Sequence, residues 1–324
     1  MERVLDVRNL KVYYFTSKGP VRAVDDISFY INKGETLGVV GESGCGKTTL
    51  GTALLNMPTP PGKVVGGEII IDGTNILELN ENQLRKNVRW EKISMVFQGA
   101  MNSLTPAYTI EKQMLETLRY HRELDEQEAR ERIKKYVNLV GLSDDVLKRY
   151  PHELSGGMKQ RIVIAMALFL EPELVICDEP TTALDVVVQA QIINLLKELK
   201  QKLNLSFIFV THDLATEAEV ADRIMVMYAG KIAEIGTNDQ IYGEQGPMHP
   251  YTSNLLAATP RLHKKVDKLS FIPGSPPDLL NPPAGCRFHL RCPVVMEKCR
   301  TEEPPLKEVE KDHYVACWRC YENE

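Results

Sequence analysis

Gly41-Glu42-Ser43-Gly44-Cys45-Gly46-Lys47-Thr48-Thr49 fits the pattern G-x-x-x-x-G-K-[ST] in full. A short apolar run, Thr36 to Val40, precedes it, and a helical run from Thr48 through Leu55 follows. Strand, glycine loop and helix in that order form a phosphate-binding loop. The glycines let backbone N–H groups converge on phosphate oxygens, and the helix adds its positive end. In such a loop Lys47 contacts the β- and γ-phosphates and Thr48 holds Mg²⁺ through its hydroxyl. Taken alone the stretch indicates nucleotide binding and no more.

The flanking sequence reads as an α/β protein. Residues 3–14 alternate like a strand, and Ser17-Lys18-Gly19-Pro20 predicts a turn into a second apolar stretch, Val21 to Ile31. Glu68 to Gly73 gives a further strand and turn. Residues 107–149 carry Glu, Lys, Arg and Leu at helical spacing, which predicts a helical insert. Beyond it, Leu174–Cys177 and Ser206–Val210 are short buried-type strands separated by a helix over Val187–Leu203. Strand, helix, strand of this kind implies a mainly parallel core sheet covered on both faces. Ile224–Tyr228 and Lys231–Glu234 fit a hairpin across Ala229-Gly230. From Gly243 onward prolines at 247, 250, 260, 273, 276, 277, 282 and 283 interrupt regular structure. The expected division is a nucleotide-binding domain over 1–250, with its helical subdomain at about 99–170, and a small irregular region over 251–324.

Composition narrows the classes. The 324 residues are 43% hydrophobic and 26% charged, with a net charge of −5, as in ordinary globular proteins. No block of Lys and Arg forms a nucleic-acid groove, so no nucleic-acid partner is expected. The longest apolar run, Ile162 to Leu170, is nine residues, against the roughly 20 that a spanning helix needs. Met1 to Asp6 lacks the apolar core of a signal peptide. A cytosolic protein is expected, with any membrane role exercised through partners.

Leu174-Val175-Ile176-Cys177-Asp178-Glu179 is an apolar strand ending in two acids. Beside a phosphate loop, Asp178 is placed to support Mg²⁺, and Glu179 to polarise an attacking water.

Leu154-Ser155-Gly156-Gly157-Met158-Lys159-Gln160-Arg161 closely resembles the signature sequence of ABC ATPases. Ser155 is a good N-cap, and Gly156 and Gly157 expose the start of the following helix to an anion. The resemblance implies that this anion is the γ-phosphate of ATP held by a second cassette, in a head-to-tail dimer, homologous or identical. Met158 departs from the Gln found in many family members. The resemblance also assigns Gln98, in Met95-Val96-Phe97-Gln98, to Mg²⁺ and the attacking water, and turns residues 99–106 toward a membrane partner. It makes Ala183-Leu184-Asp185 the loop that communicates between subunits and His212 the residue that contacts the γ-phosphate. An aromatic residue upstream of the phosphate loop would stack on adenine. Tyr13, Tyr14 and Phe15 all qualify, and alignment with the family favours Tyr14.

Seven cysteines are present, and five lie in the last 39 residues: Cys286, Cys292, Cys299, Cys317 and Cys320. An odd total in a reducing compartment argues against disulfides. The first four are separated by five, six and seventeen residues. Soft thiolates gathered in this way suggest a structural Zn²⁺ or an iron–sulfur cluster. Ile272 to Leu279, Gly285 to Pro293 and His249-Pro250-Tyr251-Thr252 resemble the C-terminal region of dipeptide/oligopeptide transporter ATPases. That resemblance implies a [4Fe–4S] cluster on Cys286, Cys292, Cys299 and Cys317, with Cys320 a competitor for the fourth place and His289 expected in an ordinary polar contact. It further implies an ATPase at the cytoplasmic face of the membrane, driving peptide import with two transmembrane permease subunits, a second ATPase subunit and an extracytoplasmic binding protein. Nickel or oligosaccharide importers and a non-transport ABC ATPase are the alternatives. A regulatory module that binds ATP without hydrolysing it is disfavoured by the joint presence of Lys47, Glu179 and His212.

Overall fold

Thr36-Leu37-Gly38-Val39-Val40 forms a strand buried at every residue, directly ahead of the glycine loop. This is the pattern of a strand covered on both faces. The computed structural model describes residues 2–258 and 272–321, so Pro260 lies outside the described residues. Among these, the strands are β1 (Arg3–Thr16), β2 (Gly19–Asn32), β3 (Thr36–Val40), β4 (Gly62–Ile71), β5 (Thr74–Asn75), β6 (Ile93–Val96), β7 (Leu174–Asp178), β8 (Ser206–Val210), β9 (Arg223–Tyr228), β10 (Lys231–Thr237), β11 (Lys307–Glu310) and β12 (His313–Val315). The α-helices are α1 (Lys47–Ala53), α2 (Glu81–Asn87), α3 (Ile110–His121), α4 (Glu126–Leu139), α5 (Gly156–Leu168), α6 (Val186–Leu203), α7 (Leu214–Val220), α8 (Asn238–Tyr242), α9 (Pro250–Ala257) and α10 (Lys298–Thr301). Two compact units divide the chain. One comprises Met1–Val4, Asn32–Gly34 and Asn75–Ile208, and the other Leu5–Ile31, Glu35–Thr74 and Phe209–Glu324.

The second of these units carries the glycine loop. β1 pairs antiparallel with β4, Leu5 opposite Ile71 and Val7 opposite Ile69, in a sheet of order β2-β1-β4-β5. β3 runs parallel to β9, Val40 opposite Val226, and β9 turns back into β10 through Ala229 and Gly230. Both turn residues have positive φ, 49° and 81°, the conformation of a tight two-residue hairpin. Among the described residues the proline-interrupted region is not wholly irregular: β11 and β12 form a hairpin, and β12 adds to β10 with Ile235 opposite Tyr314. A second regular element in the proline-interrupted region, α9, has Pro250 in its first turn and the His249 side chain accepting from the Tyr251 N–H. Proline is tolerated there because the N–H it lacks would have no helical partner in the first turn. Val40, Ile224, Val226, Tyr228, Ile241, Tyr251 and Phe288 share one core cluster.

In the other unit β6 runs parallel to β7, Ile93 opposite Leu174 and Val96 opposite Cys177. The insert contains α3, α4 and α5, each started by a side-chain cap: Thr109, Asp125 and Ser155. Ile110, Met114 and Leu118 on α3, and Ala129, Ile133 and Val137 on α4, are buried at four-residue spacing. These are single apolar stripes. α5 is buried at seven of its thirteen positions, which makes it the central helix of the insert. No helix among the described residues is long and apolar enough to cross a membrane.

Candidate functional site

The glycine loop owes its path to three left-handed or positive-φ glycines: Gly41 at 151°, Gly44 at 78° and Gly46 at 110°. A Cβ on Gly41 would stand 2.2 Å from the Met227 carbonyl oxygen, and one on Gly46 would stand 2.3 Å from that of Ala23. Both glycines are therefore required by close backbone approach. Gly44 is different, with open space where a Cβ would be, and Ser43, Gly44 and Thr48 are exposed. Lys47 arches back over the loop, its Nζ donating to the carbonyls of Gly41 at 2.7 Å and Glu42 at 3.2 Å. Cys45 is buried beneath, and burial pushes its thiol up.

The three aromatic candidates on β1 separate clearly. The Tyr13 hydroxyl donates to Asp25, and burial pushes its own ionisation up to about 12. Tyr14 shares a 3.1 Å hydrogen bond between its hydroxyl and that of Thr49, one residue past the loop motif. The Tyr14 ring lies over Gly62, where a Cβ would come within 2.9 Å of it. Phe15 is 47% exposed. His212 is exposed just past β8, in a turn fixed by its neighbours. The Asp213 N–H donates to the Thr211 hydroxyl at 3.0 Å, and the Asp213 carboxylate caps α7 by accepting from the Ala215 N–H at 3.0 Å.

The other unit assembles a second group. β7 delivers Asp178, which is buried, and Glu179, which leaves the strand at a φ of 48°. A left-handed glutamate costs about 1–3 kcal/mol of backbone strain and persists only where the surroundings enforce it. Here the enforcement is visible: Glu179 Oε2 accepts from Gln98 Nε2 at 2.9 Å and from the Thr182 hydroxyl at 2.8 Å. Gln98 comes from the exit of β6. Ser155 caps α5 by accepting from the Met158 N–H at 3.3 Å. Gly156 and Gly157 serve packing as well as exposure, since a Cβ on Gly157 would stand 2.7 Å from Val188 Cγ1. Asp185 caps α6, accepting from the Val188 N–H at 2.9 Å, and Ala183 has a φ of 65°.

Lys47, Thr48, Tyr14 and His212 thus belong to one unit, and Gln98, Ser155, Asp178 and Glu179 to the other. Three contacts of these groups were not read from the sequence. Thr182 stands three residues past Glu179 in the turn after β7, a spacing that could have flagged it. The Glu42 carboxylate meets Arg291 and the Glu42 N–H meets Tyr251, and nothing in the sequence signals such distant partners.

In the C-terminal region Cys286, Cys292, Cys299 and Cys317 all line one apolar cavity of about 10 Å³, together with His249 and Phe288. Cys320 is not among its lining residues. The Cys286 N–H donates to the Cys299 carbonyl at 2.8 Å, and a Cβ on Gly285 would collide with that same oxygen, at 2.2 Å. Glycine there brings two cysteine-bearing segments together. The cysteines are free thiols. Burial pushes Cys286 up to about 12, and a hydrogen bond from Cys320 holds Cys317 down to about 7. His289 Nδ1 meets the Cys286 carbonyl at 2.8 Å, the polar contact expected of it. Among the described residues no group of three or more His, Cys, Asp or Glu is arranged to hold a metal ion.

Comparison with known proteins agrees with this fold. The ABC transporter family model matches residues 24–182, and the model for the C-terminal region of oligopeptide/dipeptide transporters matches 233–299. The dimeric ABC transporter cassette MJ0796 superposes with a TM-score of 0.64 at 27% identity, covering 73% of this chain and all of that one. The cassette cbiO1 from Clostridium perfringens gives 0.64 at 29% identity, over 76% of this chain and 92% of that one. Fold and site define an ATP-binding cassette, an α/β ATPase of the ABC type.

The full-length relatives are more specific. The oligopeptide transport ATP-binding protein AppD of Bacillus subtilis is 44% identical over 100% of this chain and 98% of its own length. The dipeptide transport ATP-binding protein DppD of the same organism is 46% identical, covering 98% and 95%. The oligopeptide transport ATP-binding protein OppD of Escherichia coli is 44% identical, covering 98% and 94%. This chain belongs to the family of ABC transporter ATP-binding subunits of oligopeptide and dipeptide importers.

Proposed function

We propose that this chain hydrolyses ATP at the cytoplasmic face of a membrane to power uptake of di- or oligopeptides. Near-complete coverage of peptide-transport ATP-binding proteins at 43–46% identity carries that reading. Two permease subunits, a second cassette subunit and an extracytoplasmic binding protein complete the machine, and the cargo never touches this chain. The division into a nucleotide-binding domain over 1–250 and a C-terminal region over 251–324 belongs to the same reading.

The residues take these roles. Gly41 to Thr49 cradle the phosphates, with Lys47 countering the charge on the β- and γ-phosphates. Tyr14 is the adenine-stacking aromatic, supported by its bond to Thr49. Thr48, Gln98 and Asp178 supply oxygen donors of the kind Mg²⁺ takes, and that ion neutralises phosphate charge when bound. Glu179 is the general base toward water, oriented by Gln98 and Thr182. His212 and the opposing subunit's signature helix start, Ser155 to Gly157, stabilise the charge on the transferring phosphoryl group.

The test is deletion of the gene with uptake measured for labelled dipeptides, oligopeptides, nickel and oligosaccharides. Loss of peptide uptake alone is expected. Loss of nickel or oligosaccharide uptake with peptide uptake intact overturns the assignment.

A second reading concerns the tail. Four free thiols facing one cavity support an iron–sulfur cluster held by Cys286, Cys292, Cys299 and Cys317, in which the group would clip two irregular segments together. The exclusion of Cys320 from that cavity favours Cys317 as the fourth ligand. Iron and sulfide analysis of anaerobically purified protein decides. Stoichiometric zinc without visible absorbance overturns the cluster.

A further inference from the structure

The glycine loop is gripped by the C-terminal region, and the grip falls on one residue, Glu42. Its carboxylate receives a two-pronged bond from Arg291, 2.6 Å from one terminal nitrogen and 2.9 Å from the other. Its backbone N–H donates to the Tyr251 hydroxyl at 2.9 Å. Its carbonyl accepts from Lys47 Nζ at 3.2 Å. The guanidinium is itself fixed. Arg291 Nε donates to the Pro273 carbonyl at 2.8 Å, and its terminal nitrogens also reach the Tyr228 hydroxyl and the Ile272 carbonyl. The Arg291 side chain is 4% exposed, and that of Glu42 26%. Tyr251 is held as firmly, its ring 4.6 Å from that of Tyr228 and 5.3 Å from that of Phe288.

We infer that Arg291 is a positioning residue for ATP binding: it neutralises and fixes the Glu42 carboxylate inside the phosphate loop, and through the Glu42 peptide it sets the place of Lys47. A carboxylate in a loop built to bind phosphates works against its ligand by like-charge repulsion. A planar fork with all its donors occupied cancels that charge and at the same time pins the loop backbone, which a point-charge lysine cannot do. The C-terminal region, set apart in the sequence by its prolines and cysteines, is thereby part of the nucleotide site's support. Arg291 lies next to Cys292, so the residue that holds the loop is carried by the cysteine-bearing segment.

The inference rests on the reading of Gly41 to Thr49 as the ATP site, and Lys47→Ala separates the two. The experiment is titration of MgATP onto the full-length chain, with KM and kcat measured in the assembled transporter. Arg291→Gln is expected to raise the Kd and KM for ATP on the order of tenfold with kcat within about twofold, because an unpaired charge is left in the loop while the base at Glu179 is untouched. Adding Glu42→Gln to Arg291→Gln is expected to restore most of the affinity, a recovery that a merely structural role for Arg291 would not give. Arg291→Lys is expected to fall between wild type and Arg291→Gln, and it carries the test if Arg291→Gln does not fold. ATP affinity unchanged by the Arg291 variants while Lys47→Ala abolishes binding overturns the inference. So does a double variant that binds as weakly as Arg291→Gln alone. Normal binding by Lys47→Ala overturns instead the reading of the loop.

Discussion

The Gln98 carboxamide donates to the Glu179 carboxylate at 2.9 Å, joining the exits of two parallel strands, β6 and β7. Glu179 sits in a left-handed backbone conformation with Thr182 bonding the same oxygen. Its orientation is therefore overdetermined, as a base that must meet one water requires. Replacing the carboxylate by its amide keeps the shape and removes the proton acceptor. Glu179→Gln is expected to bind ATP normally, to lose about 10²–10⁴-fold in kcat, and to accumulate as a closed dimer. ATPase rates with size-exclusion chromatography in ATP check this, and wild-type turnover would remove Glu179 from its role.

Thr182 offers a finer test of the same bracket. Thr182→Val preserves shape and deletes one of the two bonds to Glu179 Oε2. A hydrogen bond to a charged carboxylate contributes about 1.5–3 kcal/mol net, so kcat is expected to fall on the order of ten- to a hundredfold with ATP affinity unchanged. A change confined to KM would mean that Thr182 acts on nucleotide binding instead.

How far these parts could be read in advance depended on how local their chemistry is. The glycine loop, β3, α6 and the β9–β10 hairpin were legible because each is specified by neighbouring residues: an apolar run, a cap, a turn pair. The strand β6 was not, since Ile93–Val96 is four residues with no alternation. The tail hairpin β11–β12 was hidden because Lys-Glu-Val-Glu has the polarity of an edge strand exposed on most of its surface. Least legible was the bond between Glu42 and Arg291, 249 residues apart. Tertiary ion pairs leave no periodic trace, and Glu42 read simply as a variable position of the loop motif.

The signature glycines carry a packing requirement that can be separated from any role at phosphate. A methyl on Gly157 would press 2.7 Å from Val188 Cγ1 on α6, and valine has little rotamer freedom on a helix to move aside. Gly157→Ala is expected to destabilise the chain by about 1–3 kcal/mol, the range for overpacking. Val188→Ala in the same chain is expected to recover most of that. Urea unfolding of the single and double variants measures both. Equal stability of Gly157→Ala and wild type would show that α5 and α6 yield at this contact.

Glu217 predicts a pH dependence from within the unit that carries the glycine loop. The residue is fully buried on α7, against Gly38 of β3, and among the described residues neither carboxyl oxygen has a hydrogen-bond partner. Desolvation, with Asp213 adding like charge, pushes its ionisation well above the ordinary 4.5, and Lys47 opposes this only in part. The Tyr242 hydroxyl, also buried and without a partner among the described residues, feels the same carboxyl. The folded state therefore holds a proton that the unfolded state releases. A raised carboxyl pKa leaves stability intact below 4.5 and erodes it as pH rises toward the folded value. The erosion approaches about 1.4 kcal/mol per pH unit for one proton. Glu217→Gln, which cannot titrate, is expected to lack that component. Unfolding free energies of both proteins between about pH 5.5 and 7.5 should therefore diverge, the wild type falling more steeply. Parallel profiles would mean that Glu217 ionises in the folded chain as readily as in the unfolded one, and that its carboxylate has a cationic partner, for which Lys47 is the candidate.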